Sequence, residues 1–110
     1  MDMSPAKVWV GNIPRDTSRR NFANSLRRRG FSDIVEVAVF NSRDCDDAWG
    51  LVRMPSERRA GQLMVRFDGN YFQELGVSTT GEPLMFCPAK IQSREHTNLC
   101  TYMHVYKYWN

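Results

Sequence analysis

The order of strand-like and helix-like segments constrains the fold of this chain more than any other feature of the sequence. We predict four strands, at residues 7–13, 34–40, 48–54 and 84–90, because β-branched and aromatic residues are concentrated there. Residues 41–47 contain only polar and turn-forming types apart from one cysteine, which predicts a loop between the second and third strands.

Two segments between these strands have the spacing of amphipathic helices. The first is predicted at residues 18–29, where Asp16, Thr17 and Ser18 offer capping oxygens and Gly30 is a natural stop. The second begins after Pro55 and Ser56. Apolar residues recur at intervals of three and four in both segments: Phe22, Ala23 and Leu26 in the first, and Ala60, Leu63, Met64 and Phe67 in the second.

The resulting order, β-α-β-β-α-β, predicts an α+β fold of the ferredoxin-like type. In this arrangement two helices cover one face of a four-stranded antiparallel sheet, and the other face stays open. Each strand should therefore alternate between core and open-face residues. Pro88 cannot donate a ladder hydrogen bond, so the last strand is expected at a sheet edge.

The chain length of 110 residues fits one domain, predicted at residues 6–90, followed by an aromatic-rich extension at residues 91–110. The spacing of aromatic residues in the extension fits a helix and a strand equally well, and either form would be able to pack on the sheet. The sequence has no apolar run of membrane-spanning length and no signal-like leader, so we expect an intracellular protein, nuclear or cytoplasmic, without a membrane partner.

Charge is distributed unevenly along the chain, although the net charge is only +3. Residues 1–30 carry seven basic and two acidic side chains, whereas residues 31–52 carry one basic and five acidic side chains. The position of each charge on the fold therefore matters more than the total. The default interpretation of the arginines on the two predicted helices is a solvated surface. The alternative is a contact surface for phosphate or for an acidic protein.

Three segments together resemble the RNA recognition motif (RRM) family. Residues 8–13, Val-Trp-Val-Gly-Asn-Ile, are similar to the short ribonucleoprotein motif of the family's first strand at all six positions. Residues 47–54 are similar to the longer octamer of its third strand, and residues 81–90 to its last strand. The resemblance implies the ferredoxin-like fold already predicted and implies binding of single-stranded RNA on the open sheet face.

The octamer differs from the family pattern at three positions. Asp47 stands where the family has a phosphate-pairing Lys or Arg, and Ala48 replaces a glycine. Leu51 replaces an aromatic residue that stacks on a base or sugar, whereas the aromatic at the third position is present as Trp49. Because Asp46 and Asp47 are expected beside the open face, this loop is predicted to repel RNA phosphate.

Strand alternation predicts which side chains line the open face. Trp9, Phe40 and Trp49 are expected to stack on bases, Leu51 and Met85 to extend the apolar surface, and Asn12 to bond base edges. The basic side chains of this face, Lys7, Arg53 and Lys90, are expected to neutralise phosphate. The full set of predicted RNA-binding residues is Lys7, Trp9, Asn12, Phe40, Trp49, Leu51, Arg53, Met85 and Lys90.

Two alternatives apply to this surface. In the first, Trp9 and Trp49 are core residues. In the second, the open face is covered by the extension or by a protein partner, because the side chains of this face are unusually apolar. The functional hypothesis is accordingly single-stranded RNA binding. The alternative is a protein-interaction or regulatory module, part of a larger RNA-processing or RNA-silencing protein.

The sequence predicts no enzyme, no cofactor, no metal site and no small-molecule substrate. It contains no nucleotide-binding glycine loop and no nucleophile elbow. His96, Cys100 and His104 invite a zinc interpretation, but residues eight apart on one helix lie about 12 Å apart along its axis. One helix therefore cannot bring all three to a single ion.

Overall fold

The computed structural model describes residues 6–41, 43 and 45–89. Their four strands form one antiparallel sheet in the order β2-β3-β1-β4, with two helices on one face. The predicted α+β fold with the order β-α-β-β-α-β is confirmed. The elements are β1 (Lys7–Ile13), α1 (Arg19–Arg28), β2 (Glu36–Phe40), β3 (Ala48–Arg53), α2 (Glu57–Phe67), a 3₁₀ turn (Gln73–Leu75) and β4 (Met85–Pro88).

The local signals of the sequence correctly locate both helix starts. Ser18 caps α1, where its Oγ accepts a hydrogen bond from the Asn21 backbone N–H at 3.0 Å. Ser56 caps α2 in the same way, accepting from the Arg59 N–H at 3.2 Å. Each cap satisfies a backbone donor that has no partner inside its own helix.

The main core lies between the sheet and the helices. The inward residues of β1 and β3 are fully buried there against the apolar faces of α1 and α2. Strand alternation predicts this set correctly, including Val8, Val10, Val52 and Met54.

β4 lies at a sheet edge, as Pro88 predicts. The backbone after α2 covers part of this edge. Asp68 Oδ1 accepts a hydrogen bond from the Phe86 N–H at 2.9 Å, and the Gly69 N–H donates to the Leu84 carbonyl at 2.9 Å. These contacts satisfy backbone groups that would otherwise be open to pairing with another chain.

Two arginines hold the helices to the surrounding loops. Arg29 donates two hydrogen bonds to Glu74, and its guanidinium lies 3.8 Å from the Phe72 ring centroid. The hydrogen bonds from Arg29 lower the pKa of Glu74 to about 2. Arg59 contacts Asp33 in the same way, with Nε 2.8 Å from Oδ2, and lowers the pKa of that carboxyl.

The described residues include no helix that is long and apolar enough to cross a membrane. The predicted extension at residues 91–110 lies outside the described residues, and so does Lys90.

Candidate nucleic-acid interface

The sheet face opposite the helices, called the open face here, carries most of the predicted site residues in three cross-strand rows. Strand pairing places Glu36, Arg53 and Lys7 in one row. The next row contains Ala38, Leu51, Trp9 and Cys87, and the third contains Phe40 beside Trp49. For the described residues of the paired strands, the prediction from strand alternation of which residues share this face is confirmed. The predicted RNA contacts on this face stay a prediction.

Three aromatic rings form a stack across the open face. The Phe40 and Trp49 ring centroids are 4.2 Å apart with an interplanar angle of 24°. The Trp9 and Trp49 centroids are 6.4 Å apart with an angle of 7°. Trp49 is therefore flanked by the other two rings, and much of its π-surface is used within the protein.

Exposure differs sharply along this stack. Trp9 is only 3% exposed and packs with Cys87 and Ala89 in a second apolar cluster, separate from the core beneath the helices. Trp49 is half-buried, whereas Phe40 is 40% exposed. The prediction that Trp9 lies on the open face is confirmed, but the expectation that its ring is exposed is wrong.

Gly11 explains how the Trp9 ring is accommodated. A Cβ atom at position 11 would overlap with Cζ3 and Cη2 of the Trp9 ring. The ring therefore rests against the strand itself, two residues further along β1. The indole Nε1 is buried and has no hydrogen-bond partner among the residues that the structure describes, which costs about 1–3 kcal/mol.

Asn12 has a structural role at the end of β1. It adopts a left-handed backbone conformation with a φ of 63°, at an irregularity in the pairing with β3. Its side-chain Nδ2 donates to the Pro83 carbonyl at 3.0 Å, which holds the segment before β4 to the end of β1. The predicted donation from Asn12 to a base edge would have to compete with this bond.

The cations of the open face lie in one row with an acidic neighbour. Arg53 donates from Nε to Glu36 Oε1 at 3.2 Å, and its terminal nitrogen is also 3.2 Å from that oxygen. Both side chains are well exposed, so the pair contributes little to stability, about 0–1 kcal/mol. Arg53 can therefore exchange Glu36 for a phosphate oxygen at small cost. Lys7 lies beside it on β1.

Leu51 and Met85 complete the apolar part of the face. Both are half-buried and pack against the cluster that contains Trp9. They provide a flat apolar surface without a polar group for hydrogen bonding.

Asp47 shows why the octamer lacks its usual cation. Its carboxylate is 9% exposed, and Oδ1 accepts a hydrogen bond from the Thr79 backbone N–H at 2.6 Å. The side chain therefore holds the loop before β4 against the start of β3. Sequence reasoning missed this role because Thr79 is 32 residues away and nothing local to Asp47 indicates the contact.

Within the described residues, no group of three or more His, Cys, Asp or Glu side chains is placed to hold a metal ion. The zinc candidates of the sequence, His96, Cys100 and His104, lie outside the described residues.

Comparison with known proteins identifies the fold. The chain matches no protein-family model, and no curated protein matches it. Among solved structures, the third RRM of Pes4 superimposes with a TM-score of 0.60 at 18% identity, covering 83% of this chain and 99% of that one. The MEC-8 C-terminal RRM bound to AGCACA gives 0.62 at 17% identity, covering 81% and 95%. The first RRM of Plasmodium falciparum SR1, in complex with ACAUCA RNA, gives 0.50 at 22% identity, covering 74% and 80%. This chain therefore has the fold of an RNA recognition motif.

Proposed function

We propose that this domain binds single-stranded RNA on its open face, centred on β2 and β3 rather than on β1. One observation carries the proposal: Phe40 presents a 40% exposed ring that is supported from behind by Trp49 at 4.2 Å. Trp9, at 3% exposure, is expected to support this stack rather than to contact a base directly.

The chemistry of unpaired nucleotides fits such a surface. Bases of single-stranded RNA expose their π-faces, and stacking on an aromatic side chain contributes about 1–3 kcal/mol per base. Since Phe40 is already packed against Trp49, little side-chain freedom is lost when a base binds. The SR1 domain, a structural neighbour, is solved with a short RNA, which supports RNA as the ligand class.

The cations are proposed to contact the RNA backbone. Arg53 lies four strand positions from Trp49 on the same face of β3, and Lys7 lies two positions from Trp9 on β1. Arg53 can leave Glu36 to meet a phosphate. Binding should therefore weaken as salt rises, because each neutralised phosphate releases counterions. We also propose Leu51 and Met85 as RNA contacts, together with Lys90, which lies outside the described residues. Asn12 is proposed to shape the site through its hydrogen bond to the Pro83 carbonyl.

A fluorescence-anisotropy titration with a short single-stranded RNA of random sequence tests the proposal. Phe40→Ala should weaken binding by about tenfold, the loss of roughly one stacked base. Tyr71→Ala is the matched control, because Tyr71 is an aromatic residue that is 55% exposed and lies outside the sheet. Absence of salt-sensitive binding by the unmodified protein, or equal losses in the two variants, would refute the proposal.

A protein-interaction or regulatory module remains the second candidate function. The observation favouring it is the apolar middle of the open face, where Ala38, Leu51 and Met85 offer no hydrogen-bonding side chain. A protein ligand on this face would produce NMR chemical-shift changes at β2 and β3, while RNA pools would produce none.

Both candidates are binding functions, and we propose no catalytic step for this domain. We further propose that it acts inside the cell, as a module of a larger RNA-processing or RNA-silencing protein. This proposal is supported by the combination of the RRM fold with a surface that is suited to binding rather than to catalysis.

A further inference from the structure

The arginines of this domain fall into two groups with different surroundings. Arg29 and Arg59 are tied to Glu74 and Asp33 and lie over the rings of Phe72 and Phe31. Arg19, Arg20 and Arg27 on α1 are exposed, and within the described part of the chain no carboxylate lies within ion-pair distance of them. The fold therefore accounts for the first group and leaves the second unexplained.

The charge pattern of the first turn of α1 also opposes helix stability, whereas Arg27 and Arg28 in its last turn are favourably placed. Its first turn contains Arg19 and Arg20 and no acidic residue. Positive charges there face the positive end of the helix dipole and are unfavourable. α2 has the favourable pattern, with Glu57 in its first turn and Arg66 in its last. A local rule broken without a compensating contact commonly marks a functional surface.

A groove of about 480 Å³ runs between α1 and the 3₁₀ turn beside these arginines. One wall carries Asn21, Asn24, Arg27 and Arg28, and the other carries Glu74 and Leu75. The negative charge of Glu74 is offset by Arg29 and by Arg28 at 3.6 Å. The wall formed by α1 therefore combines uncompensated positive charge with two side-chain amides one turn apart.

We propose that the α1 groove and the adjoining arginines bind an extended acidic segment of a protein partner. Side-chain amides of Asn donate and accept, so Asn21 and Asn24 match the N–H and C=O groups of an extended peptide backbone. Arg27 and Arg20 suit carboxylates, which guanidinium groups bind through two parallel hydrogen bonds.

The groove suits a peptide better than RNA. The described residues of its lining include no aromatic side chain, whereas recognition of single-stranded RNA depends on base stacking. Phe22 of α1 and Phe72 before the 3₁₀ turn are both buried in the core. α1 also lies on the side of the sheet opposite the aromatic stack, so this surface is independent of the open face.

NMR titration of the isotope-labelled full chain tests this inference, with an unlabelled oligoglutamate peptide and, separately, a short single-stranded RNA. The peptide should shift amide signals of α1 and the 3₁₀ turn. The double variant Arg20→Gln, Arg27→Gln should weaken peptide binding by about fivefold or more, since each exposed charge pair contributes up to about 1 kcal/mol.

The double variant Arg58→Gln, Arg66→Gln removes the same charge from α2 and should change peptide affinity less than about twofold. Three results would overturn the inference: no saturable shifts with the peptide, equal losses in both double variants, or α1 shifts with RNA but not with the peptide. The RNA affinity of the Phe40→Ala variant does not bear on any of these outcomes.

Discussion

Replacing Trp9 with alanine is expected to destabilise the whole domain. The ring is 3% exposed and packs against Cys87 and Ala89. Truncating a buried Trp to Ala typically costs about 3–5 kcal/mol, because transfer energy is lost and a cavity remains. The change also removes the buried indole N–H, which has no partner within the described part of the chain and whose burial costs about 1–3 kcal/mol. The expected net loss in the free energy of unfolding is therefore about 2 kcal/mol.

Urea denaturation followed by circular dichroism measures this loss. An unchanged m-value shows that the variant exposes the same amount of surface on unfolding as the unmodified protein. The melting temperature should fall by about 10 °C or more. Phe40→Ala is the comparison, because that ring is 40% exposed and its removal should cost only about 1 kcal/mol. If Trp9→Ala costs no more than Phe40→Ala, Trp9 is not a packed residue and its assignment as a support is wrong.

Three further predictions follow from individual contacts. Gly11→Ala should lower stability by about 1–3 kcal/mol and perturb tryptophan fluorescence, because the new Cβ overlaps with the Trp9 ring; an unchanged melting temperature and spectrum would contradict this. Asp47→Lys, which restores the charge of the family pattern, should cost about 1.5–3 kcal/mol in urea denaturation and shift the Thr79 amide signal, since it removes a charged acceptor; a gain in stability would contradict it. The pKa of Glu74 is about 2 in the folded state, below its ordinary 4.5. The contribution of ionised Glu74 to the free energy of unfolding should therefore be complete above about pH 4.5 and be lost as the pH falls towards 2. Because the side chain is partly exposed, we expect this contribution to be about 1 kcal/mol. Glu74→Gln should remove this part of the pH dependence of stability.

Local sequence signals predict the framework of this domain well. Strand composition gives β1 at its observed bounds, and Ser18 and Ser56 cap the two helices as their side-chain chemistry predicts. β2 begins two residues later than predicted, at Glu36, because residues 34 and 35 precede the regular ladder. These features depend on neighbours within a few residues, which the sequence displays directly.

The interface is less predictable because it depends on contacts between distant segments. Strand alternation assigns Trp9 and Phe40 to one face, but the period of two carries no information about how deeply each ring is packed. Asn12 bonds Pro83, 71 residues away. Asp47 bonds Thr79 in a loop whose conformation no local pattern specifies. The sequence therefore identifies the face correctly but does not show how deeply each of its rings is buried.

The most direct test of RNA binding centred on β2 and β3 is a set of intermolecular nuclear Overhauser contacts in the complex with a short single-stranded RNA. The proposal predicts contacts from base protons to the Phe40 ring and to the Ala38 methyl group beside it. A saturated complex whose base protons contact only β1 and β4, or only the helices, would contradict it.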